Sequence, residues 1–135
     1  MRDGFNRDIN YLRVSVTDKC NLRCRYCMPE DGIEKIDHEG ILTIDEYLKI
    51  GKIFKDLGVK KIRITGGEPL VKKGIIDLVK GYKDMGFEEI AMTTNGVLLG
   101  DMIEDLKKAG LTRVNISLDT LDKDKYAHIT RGGDI

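Results

Sequence analysis

The sequence predicts an α/β fold, a partial parallel (β/α) barrel of about four βα units. Two observations predict it. Short segments that mix β-branched and polar residues alternate with longer helical segments along the 135 residues. The first three helical segments also run into glycines, at Gly58, Gly86 and Gly110, where a helix commonly ends. Strand, helix and strand in this order imply parallel strands with right-handed crossovers, and we predict one domain over residues 1–135.

The strands and helices can be placed in order along the chain. Strands are predicted at Tyr11 to Thr17, Lys61 to Thr65, Ile90 to Thr94 and Arg113 to Leu118. The second and third helices are predicted near Ile75 to Met85 and Leu98 to Ala109. Asp122 is the expected N-cap of a fourth helix, and Ile135 follows before any fifth strand. The sheet should therefore have two unpaired edges, as an open piece of a larger barrel would.

The first helix carries the clearest start signal. Thr43 and Glu46 have the spacing of a capping box. Within this helix, Leu48, Phe54 and Leu57 are expected to face the core.

Polar side chains should gather at one rim of the sheet, where α/β folds bind their ligands. Alternation with period two divides each strand into an apolar and a polar face. The polar face is predicted to carry Arg13, Ser15, Thr17, Arg63, Thr65, Thr93, Asn95, Asn115, Ser117 and Asp119. Buried charges without partners are costly, so this face suits the lining of a ligand cavity better than a closed core. The alternative is that these side chains only satisfy one another at the strand ends.

Composition excludes several classes of protein. The 23 basic and 23 acidic residues cancel, so neither a nucleic acid nor a membrane is an expected partner. The chain is 41% hydrophobic and 34% charged, and it has no apolar run near the roughly 18 residues of a membrane-spanning helix. A globular cytoplasmic domain is expected. Three cysteines this close together make a poor disulfide scaffold.

The loop between the first strand and the first helix, residues 18–42, is unusually long. Its cysteines are Cys20, Cys24 and Cys27. Three thiolates suit an iron–sulfur cluster or zinc. If they bind three irons of a four-iron cluster, the fourth iron can take another ligand. Zinc would need a fourth ligand such as His38 or His128, and neither lies at the spacing usual for structural zinc.

The spacing C-x3-C-x2-C, followed after the second strand by Gly66-Gly67-Glu68-Pro69, resembles the radical S-adenosylmethionine enzymes. The resemblance implies a TIM-like barrel, a [4Fe-4S] cluster on Cys20, Cys24 and Cys27 with one open iron site, and S-adenosylmethionine as cofactor. Paired glycines let backbone groups approach a ligand closely, and Glu68 could accept a hydrogen bond from an ammonium group.

Longer segments resemble the amino-terminal part of one family, the GTP 3′,8-cyclases (molybdenum cofactor biosynthesis protein A). They are SVTDKCNLRCRYCMPEDG, KKIRITGGEPLV, TTNG and RVNISLDTLD. The resemblance implies that Arg13, Arg63 and Thr93 contact GTP, and that Tyr26, Gly67 and Ser117 contact S-adenosylmethionine. Arg13, Arg63, Thr93 and Ser117 are also lining residues by the period-two argument.

The implied reaction belongs to a radical lyase. A 5′-deoxyadenosyl radical removes a hydrogen from C3′ of GTP, and the ribose radical attacks C8 of guanine. The product is (8S)-3′,8-cyclo-7,8-dihydroguanosine 5′-triphosphate, a precursor of the molybdopterin cofactor. The implied partners are an electron donor such as flavodoxin or ferredoxin, cyclic pyranopterin monophosphate synthase as pathway partner, and a second copy of the chain as a homodimer.

One departure and two alternatives remain. Members of this family carry a second three-cysteine [4Fe-4S] cluster and an arginine-rich segment in their carboxyl-terminal part, and neither is in this sequence. A fragment that lacks cyclase activity alone is therefore expected, and the second cluster is expected only in the full-length protein. The alternatives are another radical enzyme, such as a peptide maturase, and a non-enzymatic zinc or iron–sulfur module that binds nucleotides.

Overall fold

The computed structural model describes residues 2–32 and 40–135, and strands alternate with helices throughout. The strands are β1 (Tyr11–Ser15), β2 (Lys61–Thr65), β3 (Glu89–Thr94) and β4 (Arg113–Ile116). The helices are α1 (Ile44–Asp56), α2 (Ile75–Asp84), α3 (Leu99–Ala109) and α4 (Lys123–Thr130), with a 3₁₀ turn at Pro69–Val71. The strands form one parallel sheet in the order β1-β2-β3-β4. The predicted fold class is confirmed, and β1 and β4 are the two edges of an open sheet.

The hydrophobic core lies between one face of the sheet and the first three helices. Ile62, Ile64, Ile90 and Met92 point to this face and are fully buried. They alternate with the polar residues of β2 and β3, as a sheet covered on one side requires. The period-two assignment of faces is confirmed for these two central strands.

Both edge strands end earlier than predicted. β1 ends at Ser15 rather than Thr17, and β4 ends at Ile116 rather than Leu118. One further ladder bond follows each strand, from Val16 N to Thr65 O at 3.0 Å and from Ser117 N to Thr94 O at 2.8 Å. Beyond those bonds the neighbouring strand has ended, so alternation in the sequence continues where pairing has stopped.

Two residues near the element ends differ from expectation in their exposure. Thr17, predicted on the polar face, is buried, and its carbonyl accepts a hydrogen bond from Gly67 N at 2.7 Å. Leu57 was expected to face the core, but it is 48% exposed. Leu57 is the C-cap of α1, so it follows the last turn that packs on the sheet.

The helix ends agree with the sequence signals. Thr43 Oγ1 accepts from Glu46 N at 3.3 Å, and Thr43 N donates to Glu46 Oε2 at 2.8 Å, which completes the predicted capping box. Asp122 caps α4 by accepting from Lys125 N at 3.0 Å. Gly110, the C-cap of α3, has a φ of 113°, a conformation that favours glycine. In the described residues, no helix has the length and apolar character that crossing a membrane requires.

Candidate cluster and nucleotide site

A cavity of about 230 Å³ opens at the carboxyl ends of the strands, beside the cysteine loop. It is lined by seven of the nine residues predicted to form the site: Cys20, Cys24, Tyr26, Cys27, Gly67, Thr93 and Ser117. Parallel strands bring these positions together because their carboxyl ends share one rim. The remaining two, Arg13 and Arg63, lie two residues before the ends of β1 and β2, below the cavity lining.

The cysteines lie on a loop with local order of its own. Cys20 and Cys24 are half-buried and Cys27 is exposed, and all three thiols are free. Cys24 O accepts from Cys27 N at 2.9 Å and from Met28 N at 3.0 Å, which makes a tight turn between the second and third cysteines. Burial raises the pKa of the Cys24 thiol, and the nearby Cys27 raises it further.

The three thiols can serve an iron–sulfur cluster without sharing one metal ion. Within residues 2–32 and 40–135, no group of three His, Cys, Asp or Glu side chains is placed to hold a single ion. Each cysteine of a four-iron cluster binds a different iron, so its thiols do not need to converge on one point. Of the two histidines considered as zinc ligands, His128 contacts the loop through its carbonyl, and His38 is outside the described residues.

The paired glycines pack closely against the start of the cysteine loop. A Cβ on Gly67 would lie 2.7 Å from Asp18 O and closer still to Lys19 O. Gly67 N donates to Thr17 O at 2.7 Å and Glu68 N donates to Lys19 O at 2.8 Å. The backbone of Gly67 therefore packs closely against residues 17–19 of the chain. Gly67 also lines the cavity, where a ligand could approach it.

The carboxylate of Glu68 is buried and bonded to groups of the fold itself. Its side chain is 1% exposed. Its carboxylate accepts from Leu70 N at 3.0 Å, Thr94 Oγ1 at 2.7 Å and Asn95 N at 2.7 Å. These three bonds use most of the roughly four acceptor positions of a carboxylate. Glu68 thus joins the segment after β2 to the end of β3, and its bond to an ammonium group stays a prediction.

Asn95 continues this connection to the cysteine loop. Its Nδ2 donates to Asn21 Oδ1 at 2.7 Å and lies 3.9 Å from Cys20 Sγ. The sequence placed Asn95 on the polar face but did not predict these contacts. Its position directly after β3, at the common rim, was the available signal.

Tyr26 and Asp119 join the cysteine loop to the segment after β4. Tyr26 Oη donates to Asp119 Oδ2 at 2.8 Å. This bond favours the neutral phenol and raises the pKa of Tyr26 well above its usual value. Asp119 also lines the cavity, as do Tyr126 and Thr130 of α4, which the sequence analysis missed because nothing in their spacing relates them to the rim.

The two arginines are neighbours in the sheet. Arg13 of β1 is in register with Arg63 of β2, on the same face. Arg63 is half-buried, and its Nε donates to Tyr11 Oη at 2.6 Å and its Nη1 to Thr93 Oγ1 at 3.1 Å. Like charges on adjacent strands repel each other. The pair therefore forms a locally positive surface that an anion would stabilise.

Comparison with known proteins agrees with these observations. The family model described as the Radical SAM superfamily matches residues 14–135. The chain is 55% identical over 136 residues to the GTP 3′,8-cyclase of Alkaliphilus metalliredigens, covering 100% of this chain and 42% of that protein. It is 57% identical over 134 residues to the GTP 3′,8-cyclase of Peptoclostridium acidaminophilum, covering 98% of this chain and 41% of that protein. The chain thus spans about two fifths of the length of these relatives.

Solved structures share the fold. Streptococcus suis SuiB bound to S-adenosylmethionine superposes with a TM-score of 0.73 at 23% identity, covering 92% of this chain and 27% of that one. BtrN in complex with AdoMet and 2-DOIA gives a TM-score of 0.67 at 21% identity, covering 91% of this chain and 51% of that one. Together with the family match, they confirm the sequence prediction: the chain belongs to the radical S-adenosylmethionine superfamily, whose cofactors are a [4Fe-4S] cluster and S-adenosylmethionine.

Proposed function

We propose that residues 1–135 are the radical S-adenosylmethionine core domain of a GTP 3′,8-cyclase. The reaction would convert GTP to (8S)-3′,8-cyclo-7,8-dihydroguanosine 5′-triphosphate in molybdopterin biosynthesis. The observation that carries the proposal is one cavity that brings together the cysteine loop, Gly67, Thr93 and Ser117. The 55% identity to a protein named GTP 3′,8-cyclase supports this substrate over that of another radical enzyme.

The residues predicted to hold the two cofactors line the same cavity. Cys20, Cys24 and Cys27 would hold the cluster, and Tyr26, Gly67 and Ser117 would hold S-adenosylmethionine. When bound, this pair supplies one-electron chemistry that removes the C3′ hydrogen of GTP. The chain positions the ribose and keeps water away from the reacting carbon.

Arg13, Arg63 and Thr93 would bind GTP next to that cavity. The in-register arginines present two guanidinium groups on one face, and such groups bind phosphate oxygens in bidentate pairs. The bonds from Arg63 to Tyr11 and Thr93 orient its side chain before the substrate arrives. Thr93 lines the cavity as well, so it connects the phosphate region with the cofactor region.

The proposal includes parts outside this chain. A second [4Fe-4S] cluster and further GTP contacts would come from the remaining length that the curated relatives have. An electron donor such as flavodoxin or ferredoxin would reduce the first cluster, and cyclic pyranopterin monophosphate synthase would receive the product. We place the reaction in the cytoplasm, because a reducing compartment keeps thiols available as cluster ligands.

The test uses the full-length protein that contains residues 1–135, reconstituted anaerobically with iron and sulfide. Electron paramagnetic resonance of the reduced protein should show a four-iron signal that changes when S-adenosylmethionine is added. Incubation with GTP should then yield the cyclised nucleotide. Binding of zinc alone, or a cluster signal that ignores S-adenosylmethionine, would overturn the proposal.

Arg63→Ala tests the substrate site separately. Losing a charged hydrogen-bonding group should weaken GTP binding by about 10- to 100-fold. Arg7→Ala is the matched control, because Arg7 is an exposed arginine before β1 that pairs with Asp3 at 2.7 Å. GTP affinity unchanged in Arg63→Ala would remove Arg63 from the site.

A further inference from the structure

The carboxyl-terminal end of α4 is bonded to the cysteine loop. The last carbonyls of a helix have no partner inside the helix and must find one elsewhere. In α4, three of these carbonyls accept from the loop. The bonds run from Arg25 Nε to His128 O at 2.8 Å, from Arg25 N to Ile129 O at 2.9 Å and from Arg23 N to Thr130 O at 3.2 Å. The loop therefore takes the place that water or a capping residue would have.

The residue that ends α4 extends this contact. Arg131 has a φ of 57° and a ψ of 54°, the left-handed conformation that most side chains avoid. Among residues 2–32 and 40–135, Asn6 is the one other non-glycine residue with a positive φ. The backbone cost of this conformation must be offset by contacts of the Arg131 side chain.

The side chain of Arg131 bridges the two ends of the turn that carries two cysteines. Its Nη1 donates to Arg23 O and to Met28 O, both at 2.8 Å. These two carbonyls flank the segment from Cys24 to Cys27. Because Cys24 O already accepts from Cys27 N and Met28 N, the guanidinium closes a turn that is bonded internally.

We propose that Arg131 is a positioning residue that holds the Cys24–Cys27 turn in place before the cluster is bound. It acts with the terminal carbonyls of α4, about 100 residues along the chain from the loop, so that this turn has its shape in the cluster-free protein. The proposal rests on the role of the loop in the proposed function, but its first measurement does not depend on that role.

The experiment compares three variants of the full chain. Arg131→Gly keeps the left-handed backbone and removes the guanidinium, and Arg131→Lys keeps a positive charge and a donor. Asn6→Gly is the matched control, since it removes a side chain at the other left-handed position, outside the cysteine loop. Amide hydrogen exchange of the cluster-free protein is followed by mass spectrometry in peptides covering residues 22–28.

Arg131→Gly should raise exchange in this segment about tenfold or more, because local opening no longer breaks two charge-assisted bonds. Arg131→Lys should recover part of the protection, and Asn6→Gly should leave the segment unchanged. After reconstitution, Arg131→Gly should lose iron to a chelator several-fold faster than the wild-type chain.

Unchanged exchange in residues 22–28 would overturn the proposal. So would an equal rise in every peptide, because that pattern reports general destabilisation. Faster loop exchange with unaltered iron loss would also overturn it, because the turn would then not position the ligands. Failure of the proposed function has a different signature: the full-length wild-type protein would form no product from GTP, while the exchange result would stand.

Discussion

Removing the carboxylate of Glu68 should destabilise the fold more than any surface carboxylate does. Glu68→Ala leaves three donors without their partner: Leu70 N, Thr94 Oγ1 and Asn95 N. An unsatisfied buried donor costs about 1–3 kcal/mol. The Thr94 hydroxyl can rotate to another acceptor, so the expected loss in the free energy of unfolding is about 3–6 kcal/mol.

Glu68→Gln is the finer perturbation. The amide keeps one acceptor oxygen, and its NH₂ group must face at least one of the protein donors, which should cost about 1–3 kcal/mol. The assay is urea unfolding of the full chain, monitored by circular dichroism. The dependence of the free energy of unfolding on urea concentration should be the same in each variant. Glu88→Ala is the control, since Glu88 is 58% exposed and pairs with Lys60 at 3.2 Å, and it should cost no more than about 0.5 kcal/mol.

Two results would refute this reasoning. A cost for Glu68→Ala no larger than that of Glu88→Ala would show that the three bonds do not stabilise the fold. A loss of S-adenosylmethionine affinity in Glu68→Gln, with an unchanged free energy of unfolding, would show that Glu68 acts as a ligand acceptor after all.

Two further predictions concern the helices. Gly51→Ala should destabilise the chain by about 1–3 kcal/mol, because a Cβ there would lie 2.5 Å from Tyr82 Cε1. Gly100→Ala should instead stabilise the chain by up to about 1 kcal/mol, because a Cβ there would have no neighbouring atom within 4 Å. Thermal unfolding measures both variants, and equal effects would exclude a clash with Tyr82. Hydrogen bonds from the backbone and side chain of Thr43 lower the pKa of Glu46. The contribution of Glu46 to stability is therefore complete above its unfolded pKa near 4.3 and is lost as pH falls through the lower folded pKa. The urea midpoint of Glu46→Gln should fall less than that of the wild-type chain between about pH 6 and pH 3. An identical fall in both proteins would contradict the capping role.

The sequence predicted a strand well where the alternation of apolar and polar residues ends at the same residue as the hydrogen bonds to the neighbouring strand. β2 was predicted with its observed bounds because alternation of Ile62 and Ile64 with polar residues ends where the hydrogen bonds end. In β1 and β4, alternation continues past the end of the neighbouring strand, so both were predicted too long. Pairing depends on the partner, which a single strand's sequence does not contain.

The sequence predicted those parts of the site that lie at the carboxyl ends of the parallel strands. That rim brought Thr93 and Ser117 to the cysteines. The bond from Arg25 to the His128 carbonyl joins residues 103 positions apart, and no periodic pattern relates them. The bonds that Glu68 makes within the fold were missed for a related reason: its motif indicated a ligand and not the backbone and side-chain groups after β2 and β3.

The cysteine loop is held at several points by the rest of the fold. Its start is bonded to the segment after β2, Asn21 to Asn95, Tyr26 to Asp119, and the turn after Cys24 to α4 and Arg131. Fixing the backbone of a loop costs about 1–2 kcal/mol for each residue ordered. We expect these bonds to order residues 19–28 during folding, so that cluster binding does not have to supply that free energy. Variants that cut one attachment should therefore weaken cluster retention while the sheet and its core remain intact.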